Sequence, residues 1–364
     1  MFTKQKTALI CFFMTSKGGH GTAEVSLGLY KSIEGTKRLF EYKENKNKNN
    51  FLYTNIKKII FLFSTINSLN KFFYNNKKNV IFIEGASWIG FSFLFILLTK
   101  VMLQNTFIIY HAHNIEYEIR FKKNNFLIAY FSKIFEKFVY ANSNVATSVS
   151  KYDKKKIKSL YKLDSYIFLN GVHSSRLKKK KLNKNIPKKF YLYSGSYLYY
   201  PNKVALDDLI ENIYPKLIKK YPNLYLIITG DGLPKTLIKD KKILYFKFLK
   251  KEHLNYLIKK AQFLLLPLQK APGTKLKVIE ALLIGTQIVT TKHGIKGIKI
   301  RDSHQPFIYK NHRDLLKYIG ILDNGKIFRK KLLIKSAEFY KKIFLIENIF
   351  HKFKIKFLKN NISN

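Results

Sequence analysis

Short apolar runs rich in β-branched and aromatic residues alternate with helix-length amphipathic stretches along this chain. This alternation limits the fold strongly, because it is typical of βαβ units, in which helices cross over between parallel strands. In the first half we predict strands at 8–14, 80–84, 107–111, 145–148 and 167–169 and helices at 22–32, 51–74, 88–103 and 124–140. In the second half we predict strands at 190–194, 224–229, 243–246, 263–267 and 287–290 and helices at 204–220, 253–260, 276–284 and from 326 onward. The pattern therefore predicts an α/β fold with two parallel sheets.

A charged segment separates the two halves. Residues 178–189 (KKKKLNKNIPKK) contain a proline and lack apolar periodicity, as linkers do. The chain of 364 residues is long enough for about two domains of roughly 100–200 residues each. We therefore predict a first domain over 1–177, a linker over 178–189, a second domain over 190–335 and a C-terminal helical segment over 336–364.

The net charge of +46, from 68 Lys+Arg and 22 Asp+Glu, suggests an anionic partner such as nucleic acid or a membrane surface. Only six of these basic residues are arginine, and Asn, Ile, Phe and Tyr are abundant. A- and T-rich codons encode these residues, so the base composition of the gene explains much of the charge equally well. No nucleic-acid-binding motif accompanies the charge, and we expect no specific nucleic-acid partner.

The single cysteine, Cys11, excludes a disulfide framework and a cysteine-rich zinc site. The most apolar stretch, 88–98, has about 11 residues, whereas a membrane-spanning helix needs roughly 20. No signal-peptide cleavage site follows the apolar run 8–14. We therefore expect a cytoplasmic protein that is able to bind peripherally to the inner face of a membrane.

The first segment whose residues suit ligand binding is 16–22 (SKGGHGT), between the first predicted strand and helix. Gly18 and Gly19 would let the backbone approach an anion, and the following helix N-terminus adds free N–H groups. The segment lacks both the Walker A and the Gly-x-Gly-x-x-Gly patterns. A tight turn without a ligand explains it equally well.

The second segment follows the predicted strand 107–111. His111 and His113 lie at its carboxyl end, where parallel sheets bind ligands, and imidazoles suit proton transfer or polar contacts. A zinc site would need a third ligand, and none is evident, so we predict no metal site. Solvated loop histidines are the alternative.

The third segment is 267–282 (PLQKAPGTKLKVIEAL), in which Thr274 is able to cap the helix that follows. Lys275 and Lys277 fall in the first helical turn, where the helix dipole disfavours cations, so a bound anion such as a diphosphate explains them better. Glu280 lies close to one turn beyond Lys277, on the same face. Lysines placed by codon usage are the alternative.

The third segment, together with five others in the same order, resembles the family 4-like (group 1) glycosyltransferases of the GT-B superfamily. The resemblance implies two facing Rossmann-like domains (the GT-B fold) with a C-terminal helix crossing back to the first domain. It also implies sugar transfer from a nucleotide-diphosphate donor to a glycan or lipid-linked acceptor, with retention of configuration and without metal or cofactor. Such enzymes build bacterial surface polysaccharides such as lipopolysaccharide and capsule. The six matching segments are 18–19, 113–116, 148–153, 169–172, 229–232 and 273–298.

The resemblance also implies roles for single residues. Glu280 would bind the donor ribose, and Lys275 and Lys277 would stabilise the diphosphate leaving group. His113, or as a second candidate His111, would contact the transferred sugar or the acceptor. The implied donor-binding residues are Gly18, Gly19, Gly230, Gly232, Gly273, Thr274, Lys275, Lys277 and Glu280.

The chain departs from the family in three places. Pro272 stands where many members have a glutamate, and residues 194–202 (SGSYLYYPN) lack the Arg/Lys pair that clamps the diphosphate in many members. Residues 33–79, where acceptor-binding elements usually lie, align with nothing. Glu84 and Glu116 are candidates for a nucleophile if the reaction were a double displacement, although a front-face displacement is expected. The alternative functions are another GT-B enzyme, such as a sugar-nucleotide 2-epimerase, and a basic nucleic-acid-binding protein.

Overall fold

The computed structural model describes residues 5–15, 21–43, 51–76, 78–103, 105–122, 125–269, 273–300, 307–324 and 326–359. The chain divides into two compact units. The first unit comprises Met1–His173 and Ile346–Asn364, and the second comprises Ser174–Leu345. Each unit is built around a parallel sheet of six strands, as the alternating sequence pattern predicts.

The sheet of the first unit has the strand order β2-β1-β3-β4-β5-β6. Its central strands are almost entirely buried, which explains their continuous apolar sequences, because helices cover both faces of a parallel sheet. The strands are β1 Lys6–Cys11, β2 Thr36–Glu41, β3 Asn79–Gly85, β4 Thr106–Ala112, β5 Val145–Ser148 and β6 Tyr166–Ile167. The helices are α1 Gly21–Ser32, α2 Phe51–Phe73, α3 Ile89–Met102, α4 Glu116–Lys122, α5 Phe126–Asn142 and α6 Lys151–Tyr161.

The sheet of the second unit has the strand order β12-β11-β10-β7-β8-β9. Its strands are β7 Phe190–Ser194, β8 Tyr225–Thr229, β9 Ile243–Phe246, β10 Phe263–Leu266, β11 Ile288–Thr290 and β12 Phe307–Ile308. Its helices are α7 Tyr200–Asp208, α8 Tyr214–Lys220, α9 Lys251–Lys260, α10 Leu276–Ile284, α11 His312–Asn324 and α12 Lys326–Phe344. A short 3-10 turn at Ser174–Leu177 precedes them.

The predicted helix 204–220 is interrupted in the structure. A π-helical segment, Leu209–Ile213, joins α7 to α8. Pro215 lies in the first turn of α8 and has no N–H group to donate to the preceding turn. The proline therefore explains why the regular hydrogen-bond pattern changes at this point.

The basic segment 178–189, predicted as a linker, lies inside the second unit. The backbone N–H of Lys180 donates to the Glu252 carbonyl at 3.1 Å. The side chain of Asn255 donates to the carbonyls of Arg176 and Lys178 at 2.7 and 2.8 Å. These bonds attach the segment to α9, and the boundary between the units falls before Ser174.

The C-terminal segment returns to the first unit at Ile346, later than the predicted position 336. Helix α12 packs against α10 of the second unit, and α13 (Ile346–Phe353) packs against α1 of the first. A Cβ atom at Gly28 of α1 would lie 3.3 Å from Ile346, so the small residue permits this close approach. The expected C-terminal helix on the first unit is therefore present.

Among the described helices, none combines the length and apolar character that a bilayer-spanning helix requires. The apolar stretch 88–98 forms most of α3, which contributes Phe91, Phe95 and Ile96 to the core. This agrees with the helix predicted at 88–103.

Candidate active site

Three buried side chains meet at the carboxyl ends of β3 and β4, and we call them the histidine cluster: Glu84, His111 and His113. The parallel register places Glu84 beside His111. His111 Nδ1 lies 3.0 Å from Glu84 Oε1, and His113 Nε2 lies 2.6 Å from Oε2. Ser26 of α1 also donates to Oε2. The burial of both imidazoles rules out the alternative of solvated loop histidines.

The electrostatics of the cluster fix its protonation. Burial would raise the pKa of Glu84, but the two imidazoles lower it below its ordinary value, so the carboxylate is charged. Burial and repulsion by His111 lower the pKa of His113, which favours the neutral ring near pH 7. The Nε2–H of neutral His113 then donates to Glu84, which leaves Nδ1 as a hydrogen-bond acceptor.

One nitrogen of each imidazole remains available. Within the part of the chain that the structure describes, His111 Nε2 and His113 Nδ1 have no hydrogen-bond partner. A buried polar atom without a partner costs free energy, so these atoms are suited to a hydroxyl group of a ligand. The cluster is able to accept or relay a proton at this end of the sheet.

The expectation that the histidines lack a third metal-ligating residue is wrong, because Glu84 completes a group whose ligand atoms lie within 4.8 Å of one another. Zinc ligands sit about 2.0–2.2 Å from the ion, which separates two ligands of a tetrahedral site by roughly 3.3 Å. The contact of 2.6 Å between His113 and Glu84 is shorter than that. In this arrangement both histidines are hydrogen-bonded to Glu84, and the three residues would have to move apart to hold an ion.

Other predicted residues of the first unit have different surroundings. Gly18 and Gly19 lie outside the described residues. Glu116, a candidate nucleophile, pairs with Arg120 one turn along α4. Glu84, the other candidate, is occupied by the two histidines.

In the second unit, Lys277 lies at the carboxyl end of β7. Its Nζ donates to the Ser194 carbonyl at 2.8 Å and to Asn202 Oδ1 at 3.0 Å. The ring centroid of Tyr193 is 5.4 Å away. A Cβ atom at Gly195 would lie 2.8 Å from the ammonium, so the glycine makes room for it. Among the described residues, the hydrogen bonds of Lys277 go to neutral oxygens.

Lys275 and Lys277, which we call the lysine pair, both have weakened basicity. Burial and repulsion by Lys275 lower the pKa of Lys277 to about 8. Burial and repulsion by Lys296 lower the pKa of Lys275 to about 8. Since removal of water and like charge both disfavour the ammonium forms, an anion that bound here would relieve the repulsion.

The start of α10 differs from the prediction that Thr274 caps the helix. The cap position is Lys275, and no described side chain caps the helix there. Lys275 Nζ instead turns back to the Gly273 carbonyl at 2.6 Å, and a Cβ atom at Gly297 would lie 2.6 Å from Thr274 Oγ1. The chain enters α10 one residue later than the capping pattern indicates.

Glu280 is buried between two cations. Its Oε1 accepts from Arg176 Nε at 2.9 Å, and its Oε2 accepts from Lys251 Nζ at 2.5 Å. Burial would raise the pKa of Glu280, but Lys251 and Arg176 hold it below its ordinary value. A carboxylate has about four acceptor positions, so both oxygens can still accept hydroxyl groups.

Sequence analysis did not identify Arg176 and Lys251. They lie 104 and 29 residues from Glu280 along the chain, and no spacing rule connects them. One signal was present: Arg176 is one of six arginines in a chain whose other 62 basic residues are lysine. Arginine suits a buried ion pair better than lysine because its guanidinium is planar and weakly hydrated.

Glycines bring the loops after β7 and β8 into contact. Gly230 has φ +130°, and a Cβ atom there would lie 2.3 Å from the Gly195 carbonyl. Gly232 has φ +83°, and a Cβ atom there would lie 2.6 Å from Leu198. Only glycine fits both positions, and the loops thereby meet close to Lys277. Gly273 also has a positive φ of +66°, with open space around it.

A family profile described as glycosyl transferases group 1 matches residues 188–319. Among curated proteins, no sequence matches the chain.

Solved structures share the fold over nearly the whole chain. Sucrose-phosphate synthase from Thermosynechococcus elongatus has 12% identity and a TM-score of 0.73, over 99% of this chain and 100% of that one. HepE from Anabaena, in complex with UDP and glucose, has 11% identity and a TM-score of 0.66, over 97% and 99%. A glycosyltransferase from Rickettsia africae has 15% identity and a TM-score of 0.66, over 99% and 100%. These findings confirm the resemblance: residues 188–319 match the model of the group 1 glycosyltransferase family, and the chain has the fold of the GT-B glycosyltransferases.

Proposed function

We propose that this protein transfers a sugar from a nucleotide-diphosphate donor to a glycan or lipid-linked acceptor, in the synthesis of a bacterial surface polysaccharide. The observation that carries the proposal is the lysine pair, in which Lys275 is buried and Lys277 is half-buried beside glycine loops that a phosphate could approach. HepE has been solved with UDP and with UDP-glucose, which supports a nucleotide-sugar donor.

Each residue would have a separate role in the transfer. The bond between the anomeric carbon and the donor phosphate oxygen breaks, and the acceptor oxygen bonds to the same face of the sugar. The acceptor proton passes to the departing phosphate, whose developing charge Lys275 and Lys277 would stabilise. Glu280 would accept the ribose hydroxyls, and His113 would hydrogen-bond the sugar or the acceptor through Nδ1.

A thermal-shift screen with UDP-, GDP-, ADP- and CMP-linked sugars tests the donor class. A ligand that binds the folded state raises its stability by RT ln(1 + [L]/Kd), so at least one nucleotide-sugar should raise Tm. A protein that responded to none of them and bound DNA tightly would contradict the proposal. Conversion of the nucleotide-sugar without any acceptor would identify an epimerase instead.

The anomeric outcome and the metal requirement need separate measurements. We propose retention of configuration, which NMR of the first product shows directly. We also propose that transfer needs no metal ion, so activity should survive dialysis against EDTA. Activity that was lost in EDTA and restored by zinc would assign an ion to the histidine cluster.

A further inference from the structure

Helices α2, α3 and α5 of the first unit form a neighbouring set with an unusual outer surface. All three bury one side in the same core, to which they contribute Leu62, Phe95 and Val139. Helix α3 contacts both α2 and α5. Their other sides are exposed, and large apolar side chains occupy much of that surface.

We call this surface the apolar face, and six side chains define it. Their exposed fractions lie between 54% for Ile60 and 75% for Val101. Single exposed apolar residues are common, but exposed apolar side chains on each of three neighbouring helices are typical of a binding surface. The six are Ile56, Ile60, Val101, Phe126, Leu127 and Tyr130.

The same three helices carry a net positive charge. Helices α2 and α3 contain no acidic residue, and the one acidic residue of α5, Glu136, is buried. A partner for this surface must therefore accept apolar side chains and tolerate an uncompensated positive charge. The lysines of the three helices are Lys57, Lys58, Lys71, Lys100, Lys133 and Lys137.

We propose that the apolar face docks on an anionic lipid bilayer. Helices that lie in a membrane interface place apolar and aromatic side chains at the acyl boundary and lysines at the headgroups, as this surface could. A second copy of the chain would bring the same positive charge to the contact, which disfavours it as the occupant. The proposal rests on the proposed function for its purpose, because a lipid-linked acceptor lies at such a surface.

Flotation of the full chain with vesicles tests the proposal. Wild type should bind vesicles of phosphatidylglycerol and phosphatidylcholine at 3:7 and bind pure phosphatidylcholine much more weakly, because lysines near an anionic surface add attraction. Val101→Ser/Leu127→Ser should lower the partition coefficient at least tenfold. The matched control, Ile321→Ser/Ile334→Ser, changes two aliphatic side chains of 51% and 45% exposure in the second unit and should bind like wild type.

A second pair of substitutions tests the charge. Lys133→Glu/Lys137→Glu should reduce binding to the anionic vesicles and leave binding to phosphatidylcholine unchanged. Because all these positions are on the surface, circular dichroism and Tm should match wild type, and every comparison is made on folded protein.

Several outcomes would overturn the proposal. These are equal binding of Val101→Ser/Leu127→Ser and wild type, equal binding to both vesicle types, and no binding at all. A wild-type dimer that this variant converts to a monomer, without vesicle binding, would assign the face to a second copy. The nucleotide-sugar thermal shift is measured in parallel, so a protein that binds donor but not vesicles refutes docking alone. A protein that binds vesicles but no donor refutes the proposed function alone.

Discussion

Lys277 is the residue on which the proposed donor binding would depend most directly. It is a half-buried ammonium whose hydrogen bonds go to neutral oxygens, so a donor diphosphate would give it a direct ion pair. We expect Lys277→Met to weaken binding of the best nucleotide-sugar about tenfold to a hundredfold, since hydrogen bonds to charged groups are worth about 1.5–3 kcal/mol. Calorimetric titration measures this. Lys219→Met, at an exposed position of α8, is the control and should bind as wild type does.

The lowered pKa of Lys277 predicts how donor binding depends on pH. In the free protein the pKa of Lys277 is lowered to about 8, so the ammonium loses its proton above that pH. A bound diphosphate favours the charged form, so binding at higher pH must take up a proton. The dissociation constant should be flat below about pH 7 and rise above pH 9 about tenfold per pH unit for each of the two lysines that binds the diphosphate. A flat profile from pH 7 to 10 would place the diphosphate away from the lysine pair.

Glu84 acts through the histidines that it holds. Glu84→Gln removes the charge from a buried hydrogen-bonded group and leaves an amide that cannot accept from both rings through two oxygens. We expect the free energy of unfolding to fall by about 1–3 kcal/mol and turnover to fall about tenfold or more. Donor affinity should fall less than turnover, because the residues proposed to bind the diphosphate and the ribose, Lys275, Lys277 and Glu280, are all in the second unit. Equal losses in donor affinity and turnover would contradict a role confined to the histidine cluster.

At the scale of secondary-structure elements, Glu280 joins two helices and a 3-10 turn of the second unit. Its ion pairs attach the 3-10 turn Ser174–Leu177 and α9 to α10. Glu280→Ala would leave Arg176 and Lys251 without their buried partner, and breaking a buried pair typically costs about 3–5 kcal/mol. We expect turnover to fall about tenfold to a hundredfold. Chemical denaturation at neutral pH and transfer assays on the folded fraction separate the two effects, and full activity would remove the ribose-binding role.

Glu136 fixes the start of α4 from a neighbouring helix. It accepts the backbone N–H groups of Glu116 and Tyr117 at 2.7 and 3.1 Å, and the hydroxyl of Tyr161. Burial raises the pKa of Glu136 to about 7, although these hydrogen bonds oppose the shift. Since the ordinary pKa of a glutamate is about 4.3, the folded state holds a proton that the unfolded state has lost between these values.

Because the folded state holds this extra proton, a rise in pH lowers the free energy of unfolding. The contribution is full below about pH 4 and is lost as pH rises through about 7, to a total of about 3 kcal/mol. Glu136→Gln should remove this component, so its free energy of unfolding should change less than that of wild type between pH 5 and 8. Denaturation series at several pH values measure the difference. Glu211→Gln, at an exposed position of the π-helical segment Leu209–Ile213, should keep the wild-type slope.

At the scale of the whole molecule, the sequence predicted the elements that are buried and periodic. The central strands were found because both their faces are covered and their residues are continuously apolar. Strand β2 was missed because its sequence, TKRLFE, has three charged residues and lies at a sheet edge. Helix α11 was also not predicted as a separate element, since much of its surface is polar.

The candidate sites could be predicted only in part, because their contacts are long-range. His111, His113, Lys277 and Glu280 stand out at the ends of strands or at the start of a helix. Glu84 joins the histidines only through the register of β3 with β4, which one sequence does not reveal. The same holds for the cations around Glu280, which come from other elements of the second unit. A sequence therefore indicates where chemistry is concentrated, whereas charge partners depend on packing.

The chain leaves the first unit and returns to it at its C-terminal end, where Phe353 of α13 enters the core. This fully buried ring lies 5.5–6.0 Å from the rings of Phe82, Tyr166 and Phe168, so the C-terminal segment completes the core of the first unit. Phe353→Ala should cost about 3–5 kcal/mol. The loss belongs to the first unit, so calorimetry should show its transition lowered while the nucleotide-sugar still shifts the transition of the second. Phe357→Ala, at a half-buried ring nearby, should cost much less. An equal loss at both positions would contradict the assignment of the C-terminal core to Phe353.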